Sequence, residues 1–455
     1  MDRRSFLRGA LAGAGAVAFG DVFARSAMAG PAADADASSY GPLGAADADG
    51  LMYPARFSGR MVARSGTPVG ATTHLWPPFP DGAACFPRPG GAPGWILVVN
   101  SENPPAADVE LLPQVQDLLG GASAIVFDGA GAVVDAYWVL RGTRSNCAGG
   151  VTPWGTWLSC EEYDFSINTP GAAPSHAGRV FECSPTDRGG ASARELPSLG
   201  RFKHEAATFD ALGRVYLTED VPDGCFYRFT PAAAANTPPS LLRGELHALR
   251  LAGDGTTASW VGPIDPGARL ASTRQQAQAL GATPFSGGEG CFHHDGTVLF
   301  TTKGDDRVRA LTLGSGAQRR PGGLGVGGPT EGQGKPDTHE VLYDGGADGA
   351  AGVLNGVDNI IVSPHTGHIY VAEDGDNMEV VVIETNEAGG RTAAPLVRAT
   401  GLQHGRTLPS SPVPTASEIT GLALSPDGSR LYFNGQRSFA LGATYEVTAP
   451  PGVRF

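Results

Sequence analysis

The segment from Asn146 to Glu162 places a thiol and two adjacent carboxylates around one short apolar strand. It reads NCAGGVTPWGTWLSCEE, with Cys147 in a run of small residues and Cys160 directly before Glu161 and Glu162. Thiolates suit transition metals, whereas carboxylates suit hard cations such as Ca²⁺. The segment therefore predicts part of a metal site. The alternative is a buried structural thiol beside solvated acids.

Four later segments repeat one pattern: an acid, an apolar run, a glycine turn, a second apolar run, a polar end and a third apolar run. The copies begin EAATFDALGRVYLTED (205–220), EGCFHHDGTVLFTTKGDD (289–306), DNIIVSPHTGHIYVAEDGD (358–376) and EITGLALSPDGSRLYFNGQ (418–436). Glycine supplies the positive φ that such hairpin turns need. Hairpins repeated every several tens of residues are typical of β-propeller blades.

Short runs rich in Val, Tyr, Phe and Thr, bounded by Gly, Pro, Asp or Asn, extend from residue 95 to the end of the chain. Such runs predict strands. Residues 96–128 and 156–183 supply two further blade-like units, so we predict an all-β fold, a six-bladed β-propeller with inserted loops. A two-sheet β-sandwich is the alternative. We expect short helices at 111–119 and 272–280, and an exposed Gly/Pro-rich loop at 313–337.

A propeller would bring the repeated acids together, because the innermost strand of each blade lines a central channel. Packed carboxylates repel each other unless cations neutralise them or their pKa values rise. The acids that begin the repeats are Glu205, Glu289, Asp358 and Glu418. The acids that end the middle strands are Glu161, Glu162, Glu219, Asp220, Glu373 and Asp374. His204 is an alternative donor or proton shuttle, and each strand-end acid could instead be solvated.

The N-terminus predicts export. The chain has 455 residues and begins MDRRSFLRGALAGAGAVAFG, a twin arginine followed by a mild apolar run too short to span a membrane. We predict a Tat signal peptide over 1–29, a flexible lead-in over 30–50 and one propeller domain over 51–455. The protein would be a periplasmic or extracellular monomer that meets the Tat translocase during export. An uncut N-terminal anchor is the alternative.

The charge of the chain argues against nucleic acid as a partner. The formal net charge is -13, and no basic cluster offsets it. The six cysteines match no CxxC zinc pattern, and some of them could pair after export. The pairing is left open by the sequence.

These motifs together resemble the PhoX family, the Tat-exported alkaline phosphatases and their short relatives. The resemblance rests on the twin arginine, NCAGGVTPWGTWLSCEE, GRFKHEAATFD (200–210), GGEG (287–290) and the last repeat, and it covers most of the chain from about residue 100. It implies a six-bladed propeller whose channel holds iron and calcium and hydrolyses phosphate esters. The substrates would be small phosphate-ester molecules.

The resemblance also implies roles for single residues. Cys147 would be an iron ligand, and Glu205 and Glu289 would be iron or bridging ligands. The candidates for calcium are Glu162, Asp220, Glu373 and Glu418. Further ligand candidates are Asn100, Glu102, Glu161, His204, Glu219, Asp358 and Asp374.

Two departures concern the substrate. The best-studied branch of the family, whose members are longer, has an Arg-Pro-Glu triplet where this chain has Gly287-Gly288-Glu289, and its arginine is expected to hold phosphate. The Gln-His-Pro-Gly end of the last blade is Gln436-Arg437-Ser438 here. A cation from elsewhere would have to orient the substrate, and the candidates are Arg201, Lys203, Lys303 and Arg437. We predict a metal-dependent phosphoester hydrolase, with a non-catalytic, metal-stabilised binding propeller as the alternative.

Overall fold

A computed structural model of the chain describes residues 38–103, 120–163, 178–232, 241–314, 335–345, 353–374, 378–385, 390–407 and 414–455. The predicted signal peptide, the predicted helix at 111–119 and most of the predicted loop at 313–337 lie outside these residues. The second predicted helix is confirmed as α1, Thr273–Ala279. Ser272 begins it, because its side chain accepts the Gln275 N–H while the Gln275 side chain accepts the Ser272 N–H.

Strands make up most of the described chain. In chain order they are β1 (Leu51–Met52), β2 (Ser58–Arg64), β3 (Pro80–Pro87), β4 (Trp95–Ser101), β5 (Gly120–Phe127), β6 (Val133–Thr143), β7 (Asn146–Val151), β8 (Trp157–Glu161), β9 (Val180–Cys183), β10 (Arg194–Glu195), β11 (His204–Phe209), β12 (Val215–Glu219), β13 (Tyr227–Pro231), β14 (Gly244–Leu251), β15 (Thr257–Ile264), β16 (Gly288–His294), β17 (Thr297–Thr302), β18 (Arg307–Thr312), β19 (Asp337–Asp344), β20 (Val357–Val362), β21 (Ile369–Glu373), β22 (Glu379–Thr385), β23 (Arg391–Ala399), β24 (Gly405–Thr407), β25 (Pro414–Ala416), β26 (Ile419–Leu424), β27 (Arg430–Gly435) and β28 (Ala443–Thr448).

The strands form antiparallel sheets in a propeller-like, all-β arrangement. Three sheets have four strands each, in the orders β3-β4-β5-β6, β10-β9-β8-β7 and β2-β28-β27-β26. A five-stranded sheet has the order β1-β23-β22-β21-β20, and a nine-stranded sheet runs β11-β12-β13-β14-β15-β19-β18-β17-β16. A separate pair joins β24 and β25. The two-sheet sandwich is therefore excluded.

The turns inside the four repeats have the predicted geometry. Gly213, Gly296, Gly367 and Gly428 adopt φ values of 80°, 79°, 73° and 69°. An L side chain rarely tolerates such values, which explains why each repeat carries glycine at this point.

Six strands line the middle of the molecule. Strands β26, β3, β7, β11, β16 and β20 contact one another in that order, and β20 contacts β26 again. Each of them is followed by a second strand of its sheet, so six inner strands and their partners surround one axis. Buried apolar side chains such as Leu97, Val98 and Val99 of β4 fill the space between neighbouring sheets.

Both ends of the described chain are tied to the same region. Strand β2 is the outer strand of the sheet that the C-terminal strands build, and β1 extends the sheet of β20–β23. Part of the predicted lead-in also packs here: Tyr40 is buried, and its hydroxyl lies 2.6 Å from that of Tyr370. Ser39 N–H donates to Glu384 at 3.0 Å.

Candidate metal centre

The six inner strands deliver side chains to the axis at equivalent register positions. The first ladder pairs are Pro80↔Ser101, Asn146↔Glu161, His204↔Glu219, Gly288↔Thr302, Val357↔Glu373 and Ile419↔Gly435. An irregularity in the ladder follows directly in the first five cases, and it follows the next pair, Thr420↔Asn434, in the sixth. In each inner strand, the residue that follows the first paired residue belongs to what we call the inner set. It consists of Asp81, Cys147, Glu205, Glu289, Asp358 and Thr420.

A second set stands one residue after each second strand. The backbone N–H of each member donates to the carbonyl oxygen two residues before the inner residue, at 2.7 to 3.2 Å. These residues, the outer set, are Glu102, Glu162, Asp220, Lys303, Asp374 and Gln436. Because the same hydrogen bond recurs six times, both sets are held by backbone geometry rather than by side-chain packing alone.

The observed position of Glu418 differs from the predicted one. We expected Glu418 to stand at the same place as Glu205, Glu289 and Asp358, but it lies two residues earlier, and Thr420 holds the inner position. The carbonyl oxygen of Glu418 instead accepts the N–H of Gln436 at 3.0 Å. Its side chain still lies beside the same acidic network, because the Asp374 carboxylate is among the groups that raise the pKa of Glu418.

Small residues let the inner strands approach closely at the axis. A Cβ on Gly82, which follows Asp81, would lie 2.4 Å from the Cα of Ala148. A Cβ on Gly290, which follows Glu289, would lie 2.6 Å from the backbone nitrogen of Ile360. No real Cβ tolerates such distances, so glycine is what allows the neighbouring ligand-bearing strands to meet.

Three overlapping groups of donors lie where the inner strands meet. Within each group, one possible ligand atom per residue lies within 4.8 Å of the others. The groups are Asp81, Glu102 and Cys147; Cys147, Glu162 and Glu205; and Glu205, Glu289 and Asp358. Cys147 and Glu205 each belong to two groups, and the Cys147 Sγ lies 3.2 Å from the Glu205 Oε1.

The electrostatics of these groups fit a cation site. Burial raises the pKa values of Glu205, Glu289 and Asp358 well above the usual range, and neighbouring carboxylates add to the shift. Burial is also the main reason why the pKa of Asp81 rises to about 6 and that of Glu418 to about 8. Carboxyl groups that share a dry site stay ionised only when positive charge neutralises them. Oxygen donors match a hard cation, and the Cys147 sulfur matches a transition metal.

The two acids of each adjacent pair at the strand ends point in different directions, since neighbouring side chains of a strand face opposite sides of the sheet. The first acid of each pair binds protein: Glu161 accepts the N–H groups of Arg144 and Arg179. Glu219 accepts the Cys225 N–H and the Tyr227 hydroxyl. The second acid of each pair belongs to the outer set.

Glu373 follows the same rule, which differs from its predicted place among the calcium candidates. It is fully buried, and its Oε1 accepts the N–H of Asn355 at 2.8 Å. The adjacent Asp374 instead contacts Lys303 in the channel, with Nζ 3.2 Å from its Oδ2. Of this pair, the structure brings Asp374 to the site.

Two other ligand candidates, Asn100 and His204, make structural contacts. Asn100 donates to the carbonyl oxygens of Cys147 and Ala148 at 2.9 and 2.8 Å, and its Oδ1 accepts from Trp157 and Ser159. It therefore supports the segment that carries Cys147.

His204 stacks on Phe202, with ring centroids 3.6 Å apart, and its Nε2 lies 3.3 Å from the Gly200 carbonyl oxygen. Burial lowers its pKa to about 3. A proton shuttle at neutral pH needs a pKa near 7, so this environment does not suit that role.

Three of the four predicted substrate-orienting cations contact acids of this site. Lys203 contacts Glu162 at 2.5 Å, Lys303 contacts Glu289 at 2.9 Å and Arg437 contacts Glu418 at 2.6 Å. About a third of each side chain remains exposed. Arg201 is instead 8% exposed, and its carbonyl oxygen accepts the Thr273 hydroxyl.

Sequence reasoning missed Asp81 and Gln436. Gln436 is buried and donates through Nε2 to Asp81 at 2.6 Å and to Glu102 at 2.7 Å, so one amide joins two acids of the site. The available signal was Asp81-Gly82, an acid and a glycine before an apolar run, as in Glu289-Gly290.

No disulfide joins the six cysteines, all of which lie among the described residues. Cys85, Cys147, Cys160, Cys183, Cys225 and Cys291 are free thiols. Burial, together with the surrounding acids, raises the pKa of Cys147 well above its usual range, so a nearby cation is what would favour the thiolate. Among the described residues, no helix has the length and apolar character that crossing a membrane requires.

The profile described as "Alkaline phosphatase PhoX" matches residues 130–438, which is more than half of the chain. The chain belongs to this alkaline phosphatase family. The matched range includes Cys147, Glu205, Glu289, Asp358 and the acids that follow β8, β12 and β21. Asp81 and Glu102 precede it.

One similar solved structure supports the same fold. PhoX of Pseudomonas fluorescens, in complex with vanadate, a transition-state analogue, superposes with a TM-score of 0.62 at 17% identity. The match covers 92% of this chain and 98% of that one. The gluconolactonase XC5397 from Xanthomonas campestris gives a TM-score of 0.40 at 13% identity, over 93% and 98% of the two chains. No curated protein sequence matches the chain.

Proposed function

We propose that this protein hydrolyses phosphate monoesters at a metal cluster in its central channel. Membership of the PhoX alkaline phosphatase family supports the reaction class. The observation that carries the proposal is the convergence of Cys147, Glu205, Glu289 and Asp358 from four different strands into overlapping donor groups. Buried like charges of this kind are costly unless cations offset them.

We assign the ligands by donor chemistry. Cys147 would bind iron together with Glu205, because a thiolate favours a transition metal. Calcium would take positions with oxygen donors only, among which Glu205, Glu289 and Asp358 form one group. The other proposed metal ligands are Asp81, Glu102, Glu162, Asp220, Asp374 and Glu418. Metal ions there would supply Lewis acidity that polarises a phosphoryl oxygen.

The protein's own residues would bind and orient the substrate. Lys203, Lys303 and Arg437 keep positive charge at the channel and remain partly exposed. Lys303 is the best-placed replacement for the missing arginine, because its backbone N–H donates to the carbonyl oxygen of Gly287 at 2.8 Å. It therefore stands beside the position from which relatives are expected to hold phosphate. A phosphate oxygen would receive a charge-assisted hydrogen bond from its ammonium group.

We further propose that the arrangement is a six-bladed propeller. The nine-stranded sheet contains two four-stranded units, β11–β14 and β16–β19, which β15 joins at their outer edges. Counted in this way, each of the six inner strands begins one blade. The closed order of contacts among those inner strands supports the count.

The place of action follows from the N-terminal sequence. The twin arginine at Arg3-Arg4 and the small residues Ala27-Met28-Ala29 support Tat export and cleavage. The mature protein would then act in the periplasm or outside the cell as a monomer. The proposal includes the domain boundaries after residues 29 and 50, which separate the signal peptide, the lead-in and the propeller domain.

Turnover and metal content, measured on one preparation, test the function. The protein should be purified after native Tat export, its metals quantified, and hydrolysis of p-nitrophenyl phosphate followed. We expect iron, calcium and turnover, and loss of both iron and turnover in Cys147→Ala. Calcium without iron, and no turnover on several esters, would instead support a binding propeller.

A further inference from the structure

Lysine is rare in this chain, and its placement is selective. Of the 33 basic residues, three are lysines and the other 30 are arginines. Lys335 is exposed, whereas Lys203 and Lys303 both point into the acidic channel. Lysine carries a compact point charge with three donors, whereas the guanidinium of arginine is a broad planar fork. Two of the three lysines therefore lie where a compact cation contacts more than one carboxylate.

Lys303 occupies an outer position, where four of the six equivalent positions carry acids. Its Nζ lies 2.9 Å from Glu289 Oε1 and 3.2 Å from Asp374 Oδ2. Glu289 belongs to the inner set of the same unit, and Asp374 belongs to the outer set of the next unit. One ammonium group therefore bridges carboxylates from two neighbouring units.

Lys203 does the same one unit earlier. Its Nζ lies 2.5 Å from Glu162 Oε1 and 3.9 Å from Asp220 Oδ2, and it donates to the Asp220 carbonyl oxygen at 3.2 Å. Glu162 and Asp220 are outer residues of adjacent units. Both lysines therefore sit between pairs of carboxylates, as a bridging hard cation would.

We propose that Lys203 and Lys303 are tethered counter-cations that occupy two positions otherwise open to divalent ions. This inference rests on the proposed metal site and narrows its ligand set. Asp220, Asp374 and Glu418 lie in none of the three donor groups, and they would pair with Lys203, Lys303 and Arg437 instead of a metal ion. Metal ions would then be confined to the three donor groups among the described residues, which are linked through Cys147 and Glu205, so the site would bind no more than three. The gaps between Glu162 and Asp220 and between Glu289 and Asp374 take no ion.

Metal stoichiometry tests the proposal without reference to activity. Wild type, Lys203→Met, Lys303→Met and the matched control Lys335→Met should be exported, purified in millimolar calcium, dialysed and analysed by plasma mass spectrometry. Methionine keeps most of the side-chain length but removes the ammonium group. Each channel variant should hold about one more divalent ion per chain than wild type. Lys335→Met should match wild type.

Two further measurements complete the test. The number of divalent ions bound to the wild-type protein tests the proposal without any variant, because more than three ions per chain would overturn it. Lys303→Arg keeps the charge and should leave the count unchanged. An unchanged or lower count in folded Lys203→Met and Lys303→Met would show that the lysines only support the ligands. If the counts rise but wild type hydrolyses no ester, the proposed function fails and the counter-cation role stands.

Discussion

The Sγ of Cys147 lies 3.2 Å from the Oε1 of Glu205, across the boundary between two sheets. Each residue holds the inner position of its own strand, and each belongs to two of the three donor groups. A change at either one therefore affects two candidate ion positions at once.

Cys147→Ser should remove most of the activity while leaving the fold intact. Serine is close to isosteric but is a poor ligand for a transition metal at neutral pH. We expect iron to be lost and kcat/KM for p-nitrophenyl phosphate to fall by more than about 100-fold, because even partners that only orient a ligand are worth about 10–100-fold. Cys183→Ser, at a buried thiol on β9, is the control and should keep its iron. Equal iron in both variants would contradict the assignment.

Glu161 and Glu162 provide a matched pair of adjacent acids. Glu162→Gln should lower metal content and turnover, because its carboxylate belongs to a donor group and faces Lys203. Glu161→Gln should leave metal content unchanged and cost about 1–3 kcal/mol of stability, because its carboxylate accepts two backbone N–H groups. Metal analysis and denaturant unfolding of both variants distinguish the roles. The opposite pattern would mean that the two side chains had been assigned to the wrong faces.

The metal-free protein should lose stability as pH rises from about 4 to about 8. The pKa of Asp81 is raised from 3.8 to about 6 and that of Glu418 from 4.5 to about 8, mainly by burial. A raised folded-state pKa means that the folded protein holds the proton more tightly than the unfolded chain. This stabilisation is complete below the unfolded-state value and is lost as pH passes through the folded-state value.

Calcium should reverse this dependence, because it neutralises the carboxylates that ionise. Thermal unfolding of chelated protein at pH 5 and pH 8, with and without added calcium, checks the sign. Calcium should raise the melting temperature more at pH 8 than at pH 5. An equal effect at both pH values would argue against ionisation of buried ligands.

Asn100→Ala should destabilise the protein by about 2–4 kcal/mol, because it leaves several buried partners without a hydrogen bond. The partners are the carbonyl oxygens of Cys147 and Ala148 and the side chains of Trp157 and Ser159. Ser159→Ala removes one of these four contacts and the hydrogen bond that Ser159 accepts from Asn146, two in all, and should cost less. Chemical denaturation of both variants tests the order, and equal losses would show that Asn100 does not hold this segment.

Much of this protein was determined by local sequence. The strand runs, the glycine turns at Gly213, Gly296, Gly367 and Gly428 and the capped helix α1 were predictable, because they depend on backbone preferences within a few residues. The inner acids Glu205, Glu289 and Asp358 were also found, since a repeat places equivalent residues at equivalent positions.

The tertiary structure alone decided which side chains meet. Neighbouring residues of a strand face opposite sides of the sheet, so the side chains of Glu161 and Glu162, and those of Glu373 and Asp374, point in different directions. Which of the two points to the axis depends on the ladder irregularity that follows the first pair of each of these two sheets. The same register places Thr420, and not Glu418, at the inner position of β26. Asp81 and Gln436 join the site from opposite parts of the chain, because glycines at the axis let distant strands approach within contact. No local pattern encodes such long-range distances.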